Sequence, residues 1–427
     1  MSVFSQIQLV LVLIITYAVF RALFDVPWSS LNGRFALDNV RSRPDEPSQV
    51  VNQAPIPRYV LDHAPLVYLH SEEAYFPSQL PTHLIHTTPH LNYTPLQSRS
   101  DHPTLVDLDL LNQWPPNEGE DVFLQSDDDI ESKPSWLGSR FNTPTPYPNS
   151  TQESTAPKEQ DQSPLTNSLP PQGGRSSAPS VLILVEKANA TLDAFWFFFY
   201  SYNQGPVVLN TRFGNHVGDW EHTLVRFQNG TPTTVFLSEH FFGEAYTFDA
   251  METFSVPGAG QHGKSRPVVY SAIGTHAMYA TPGAHPYVLP FGILHDETSK
   301  GALWDPSLNV LAYGYNATSG ELTSGNLTSG APTKWAFFNG RWGDKSYPLD
   351  DPRQYQWGGQ RHYVDGPRGP LDKNLGRGWV CQGPEGPRGR CTVRDKLKSS
   401  VLDDVVEKDF SDMNWDGTRA WEDQLPQ

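Results

Sequence analysis

The 427-residue sequence predicts a mainly β protein, an antiparallel β-sandwich with long loops and a disordered insertion. Three observations lead there. The composition joins 37% hydrophobic residues to 12% aromatics, 38 prolines and 33 glycines, which suits short strands and loops better than a helix bundle. Short apolar runs such as "HTLVRF", "TTVFLSEHFF", "RPVVYSAIG", "YVLPFG" and "NVLAYGY" alternate with Gly-, Pro- or Asn-containing turns. No stretch sustains the 3.6-residue apolar period of an amphipathic helix.

The elements follow in chain order. Residues 1–26 read as a signal-anchor or a signal peptide, built on the twelve-residue apolar run "LVLVLIITYAVF". Twelve residues suit a signal-peptide core; extended to Val3–Phe24, the run approaches the roughly 20 residues of a spanning helix. Arg21, Arg34, Arg41 and Arg43 follow it and, taken alone, favour a cytosolic domain. The N-x-[ST] acceptors at Asn92, Asn149, Asn189, Asn316 and Asn326 argue the other way, for a glycosylated lumenal or extracellular domain. With the apolar N-terminus, they decide for a lumenal domain tethered to the membrane, the alternative being secretion after cleavage.

Residues 27–56 form a polar stalk, and 57–114 the first part of the β domain. Residues 115–180 are rich in Pro, Ser, Thr, Gln and acids, including the block "NEGEDVFLQSDDDIE". Such a stretch buries too little to offset its ordering entropy and is expected to be disordered. Residues 181–375 hold the main part of the β domain, where "FWFFFYSY" reads as a central strand buried on both faces. Residues 376–427 are a Gly/Pro-rich C-terminal segment in which Cys381 and Cys391 are the chain's two cysteines. In a lumenal setting they most simply form one disulfide; two free thiols in a tail are the alternative. Thiolate zinc chemistry is excluded by the count. The net charge of −16 argues against nucleic acid or anionic lipid as the main partner.

Chemistry concentrates in "FGNHVGDWEHTLVRF", Phe213–Phe227. Strand alternation puts Asp219 and Glu221 on one face and Trp220 and His222 on the other. His216 precedes a glycine at 218 that permits a bend, so one imidazole and two carboxylates can converge on an ion. Such donors suit Ca or Mg, and do not exclude Mn, with waters retained. The plain alternative is a strand end whose carboxylates face water. His276 in "GTHAMY" reads first as a satisfied core histidine, and otherwise as a neighbour of the site. The sequence assigns no catalytic residue: no G-x-S-x-G is present, and no second group marks an acid/base site.

Several stretches resemble the fungal vacuolar protein sorting-associated protein 62 family. They are "HAPLVYLHSEEAYFPS", "FWFFFYSYNQG" with "GNHVGDWEHTLVRF", "RPVVYSAIGTHAMYATPGAHPYVLPFG", "DETSKGALWDPSLNVLAYGY" and "FNGRWGD". The resemblance implies an endomembrane protein linked to vacuolar sorting, with no assigned biochemical activity. Together with the apolar N-terminus, the expectation is a non-enzymatic binding or sorting factor tethered through an N-terminal helix. Its ligand would be an unidentified protein or glycan. "GNHVGDWEH" is also similar to the G-H-R-H-D-W-E heptapeptide of necrosis- and ethylene-inducing proteins, secreted cation-binding β-sandwiches. That likeness implies a metal role for His216, Asp219 and Glu221, and places His240 of "LSEHFFGEAY" near the same rim. This sequence departs from the pattern at Gly218, which replaces a histidine. It also offers Asn203 and Gln204 where the family has an aspartate. A metal-dependent hydrolase and a membrane-perturbing module are the competing readings.

Overall fold

The computed structural model describes residues 53–114, 121–146, 173–208, 210–240, 242–255, 265–286, 295–357, 359–382 and 392–398. The strands that position the site are, in chain order, β1 (Leu66–Tyr68), β2 (Ser180–Lys187), β3 (Thr191–Asn203), β4 (His216–Gln228), β5 (Thr231–Glu239) and β6 (Phe242–Thr247). They continue with β7 (Ser265–Ser271), β8 (Leu303–Trp304), β9 (Val310–Asn316), β10 (Glu321–Ser324) and β11 (Val393–Arg394).

Eight strands make the larger sheet, in the order β10-β9-β2-β3-β4-β5-β6-β11. A smaller sheet carries β7, β1 and β8 side by side. Its side chains Val67, Val269 and Trp304 meet Trp196, Phe198, Val225 and Leu237 from one face of the larger sheet. Phe195, Phe197, Phe199, Trp220 and Leu224 leave the opposite face and pack on Leu80, Leu84, Trp335 and Trp342 from short helices and loops. The "FWFFFYSY" stretch is therefore buried on both faces, which is why it reads as an unbroken apolar run.

Not every pairing is antiparallel, as the sequence suggested. β9 lies parallel to β2, β1 parallel to β7, and β11 parallel to β6. Each of these pairs joins strands far apart in sequence, so the chain returns by a long excursion rather than a hairpin.

The expectation that residues 115–180 are wholly disordered is corrected. Val122–Ser126 forms a strand along Thr87–Leu91, and Trp136 and Leu137 are buried on a short helix. The acids expected to repel one another instead find distant partners. Asp121 pairs with Arg341 and Arg368, and Asp127 with Arg99, while Asp128 accepts a 2.8 Å hydrogen bond from Trp136 Nε1. Few apolar residues suffice once the charges are neutralised. The expected stalk also ends earlier than residue 56, because Ala54 bridges Gly325 and Ile56 is buried in the core.

The N-terminal apolar segment, Asn149, Cys391 and the central part of the insertion lie outside the described residues. Among the described residues no helix is long and apolar enough to cross a membrane. Cys381 is disulfide-bonded.

Candidate functional site

The N-terminal half of β4 carries the site. Gly218 has φ +70°, a conformation that side-chain-bearing residues rarely adopt, and a Cβ there would lie 2.0 Å from the Trp342 carbonyl oxygen. That close approach fixes the bend between His216 and Asp219. Beyond it the alternation holds: Trp220 stacks on Trp335 at 5.8 Å and 10° on one face, and Asp219 and Glu221 leave by the other.

Asp219 meets His276, whose backbone is left-handed at φ +58°. Nδ1 of His276 donates to Asp219 Oδ2 at 2.9 Å, and Nε2 donates to the Tyr75 carbonyl at 3.1 Å. A carbonyl and a carboxylate can only accept, so both ring nitrogens carry protons and the imidazole is charged. Burial opposes this charge, but Asp219 and Glu73 outweigh it and raise the pKa. The ring also stacks on Tyr200 at 3.6 Å and 5°. His276 is thus both a satisfied core histidine and a neighbour of the site. Its nitrogens are spent, and its role is to hold Asp219.

Glu221 lies just beyond the end of the ladder between β4 and β5, whose last pair is Thr223 with Leu237. Ser238 Oγ donates to its Oε2, and the His240 backbone N–H donates to Oε1 at 3.2 Å. Burial, reinforced by Asp219, pushes its pKa up to about 7. Its neighbour Glu239 is pushed further, to about 8, mainly by burial, and Glu239 Oε1 has no hydrogen-bond partner among the described residues. His240, at φ +57°, joins Asp296 through Nε2 at 3.1 Å. Burial disfavours its charge, yet Asp296, Glu221 and Asp219 together raise its pKa to about 9. Asp296 is fixed in turn by Thr275 Oγ1 and Tyr279 OH, each at 2.8 Å.

His216 and Asn203 face each other across β4 and β3. His216 Nδ1 donates to the Gly218 carbonyl at 2.6 Å, which selects the tautomer whose Nε2 lone pair is free. Asn203 donates through Nδ2 to the Gly214 carbonyl at 2.9 Å, while its buried Oδ1 has no partner among the described residues.

The residues singled out from sequence, His216, Asp219, Glu221, Asn203, His240 and His276, therefore come together at one end of β3, β4 and β5. Glu244 does not join them; it pairs with Lys398. Sequence reasoning missed Glu73 and Asp296. Glu73 accepts backbone N–H bonds from Ala74, Tyr75 and Gly274 at 2.9 Å each, and Asp296 anchors His240. Both lie in stretches that carry the family resemblance, Glu73 in "HAPLVYLHSEEAYFPS" and Asp296 in "DETSKGALWDPSLNVLAYGY", but only the long-range pairing of loops brings them here.

What this arrangement offers a ligand is a set of oxygen acceptors. The ion-pair partners shown for Asp219, Glu73 and Asp296 are imidazoles, which leaves carboxylate charge in excess over cationic side chains. Among the described residues no three His, Cys, Asp or Glu side chains already close on a common point as a metal cage. Two buried oxygens, Asn203 Oδ1 and Glu239 Oε1, are left without a hydrogen-bond partner among the described residues.

The family model for vacuolar protein sorting-associated protein 62 matches residues 193–347, which include β4 and its partners. Vacuolar protein sorting-associated protein 62 of Saccharomyces cerevisiae is 35% identical over 388 residues, covering 84% of this chain and 74% of that protein. A second Saccharomyces cerevisiae protein, TDA6, is 36% identical over 373 residues, covering 81% and 73%. Among solved structures, necrosis and ethylene inducing protein 2 from the agent of cocoa's witches' broom disease aligns at 9% identity and a TM-score of 0.24, covering 54% of this chain and 72% of that one. A mannosamine complex of NLPPya aligns at 9% and 0.23, covering 62% and 79%. At those scores the structural likenesses carry no argument. The extent of the sequence matches does: the chain belongs to the vacuolar protein sorting-associated protein 62 family.

Proposed function

We propose that this chain is a non-enzymatic binding factor of vacuolar protein sorting, whose β4 site holds a divalent cation that orders the surrounding loops. Family membership supports the sorting role. The observation that carries the cation is the carboxylate-rich cluster with orphaned acceptor oxygens. Glu221 and Glu239 reach pKa values near 7 and 8 chiefly because both are buried, which disfavours their charged forms. Asp219, Glu221 and His216 would hold the ion, with Asn203 Oδ1 as a neutral donor, and Ca or Mg suits that set. An ion supplies there the charge that burial denies to the carboxylates. Thermal unfolding of the metal-stripped protein tests this. At a hundred times its dissociation constant an ion stabilises by about 2.7 kcal/mol, a shift of a few degrees or more that Asp219→Asn should abolish. No shift with Ca, Mg or Mn would end the reading.

The membrane tether and lumenal placement belong to the same proposal. Asn189, Asn316 and Asn326 are exposed and open to glycosylation, which supports it. Unchanged gel mobility after endoglycosidase treatment would overturn it. One observation favours a second reading, a hydrolase: two buried carboxyls that titrate near neutrality are suited to general acid–base work. Turnover of a glycoside or phosphoester, lost in Glu221→Gln, would decide for it.

A further inference from the structure

Away from the carboxylate cluster, two hairpins enclose a cleft of about 620 Å³. One hairpin pairs Val207–Val208 with Thr211–Arg212, and the other pairs Gln356–Trp357 with Gln360–Arg361. Phe213 forms part of the floor and is 6% exposed, whereas Tyr355 and Trp357 stand in the walls at 38% and 60%. An indole that open to water is a cost unless something covers it. The remaining polar lining is Asn210, Thr211 and Gln356, and among the described residues no lining side chain carries a charge at neutral pH.

Tyr355 and Phe213 are held in place by their contacts. Tyr355 OH donates to the Arg212 carbonyl at 2.7 Å, and its ring stacks on His362 at 4.3 Å. Phe213 meets Tyr355 edge-on, at 5.7 Å and 82°. Two perpendicular rings make a notch, not a flat platform. A pyranose face seeks a platform, while a pyrrolidine ring fits a notch. A polyproline II segment also leaves its backbone carbonyls unpaired, and the amides of Asn210 and Gln356 and the Trp357 indole N–H are donors of the kind it needs. An uncharged lining in a chain of net charge −16 matches an uncharged occupant.

We propose that this cleft is a docking site for an uncharged, proline-rich segment of a partner protein in the polyproline II conformation. The site shares no lining residue with the cation cluster and stands independently of it.

The test is a titration of the full-length protein with decaproline, followed by tryptophan fluorescence and calorimetry, with a Gly/Ser decapeptide as control. Saturable binding of decaproline alone is expected. Trp357→Ala should weaken it by about tenfold or more, as loss of a central aromatic anchor does, while the thermal midpoint stays unchanged because the indole is largely exposed. Excess chelator should leave the affinity intact, which separates this outcome from the fate of the cation reading. Failure of decaproline to saturate, or equal binding by Trp357→Ala, overturns the proposal. So does Trp357-dependent binding of maltotriose or mannose in place of the peptide.

Discussion

Replacing Glu221 with glutamine should stabilise the metal-free protein at alkaline pH, although the residue lies at the centre of the site. Its carboxyl titrates near 7 in the folded state against an ordinary 4.5, because burial and Asp219 both disfavour the charge. A raised carboxyl pKa means that folding takes up a proton, so stability falls as pH rises from about 4.5 through about 7. At about 1.4 kcal/mol per pKa unit, the cost carried at pH 8 is at most about 3.5 kcal/mol. Glutamine removes that cost and keeps the hydrogen bonds. Its oxygen accepts the His240 N–H, and its amide donates to Ser238 Oγ, reversing the bond Ser238 now makes to the carboxylate. Urea unfolding of parent and variant, both with chelator, should give curves that coincide near pH 4.5 and separate by pH 8, the variant being the more stable. The comparison cancels the titrating groups that do not interact with Glu221; His240, whose pKa Glu221 helps to raise, does not cancel and titrates lower in the variant. A variant equally or less stable at pH 8 would refute the reasoning. It would mean that Glu221 is comfortably ionised without a cation.

Three further perturbations follow from the same structure. Gly218→Ala should cost more than about 4 kcal/mol, since it joins a left-handed backbone penalty to a clash with a Trp342 carbonyl that His83 Nε2 already holds at 2.9 Å; chemical denaturation measures it. Arg266→Ala should cost roughly 3–5 kcal/mol, because the buried Asp305 loses a two-pronged bond of 2.5 and 2.6 Å and is left charged in the core. His222→Phe should stabilise, by about 1 kcal/mol at pH 7. Both His222 nitrogens lack partners among Phe195, Phe197 and Phe236, and burial holds its pKa well below the usual value. The gain should grow as pH falls below about 6.5, where the unfolded chain binds a proton that the folded one refuses. A gain that shrinks on acidification would show that His222 is charged in the core.

Much of the site was visible in "GNHVGDWEH" because strand alternation is a local rule. The period of two sorted Asp219 and Glu221 from Trp220 and His222, and Gly218 announced a bend. The same rule could not show that His276 would spend both nitrogens, since this depends on Tyr75, about two hundred residues earlier. Glu73 and Asp296 stayed hidden for the same reason. In the fold, the apolar runs gave the strands, but the parallel pairings depend on which distant segments meet, and no local pattern encodes that. The segment around Val122–Ser126 was misjudged because charge density was read without the arginines that cancel it: Arg341 and Arg368 lie over two hundred residues downstream.

The parallel pairing of β1 with β7 bears on how the chain is made. Leu66 and Val67 find Val268 and Val269 only after about two hundred more residues have been added. At about 5–20 residues per second, β1 waits some 10–40 s on the ribosome with an apolar edge unpaired. β2 likewise waits for β9, so neither sheet can close until most of the chain has emerged. A topology with so many distant partners folds slowly and late. During synthesis this protein is a natural client for chaperones that shield strand edges, and premature termination upstream of β7 would release a fragment prone to aggregation rather than a smaller domain.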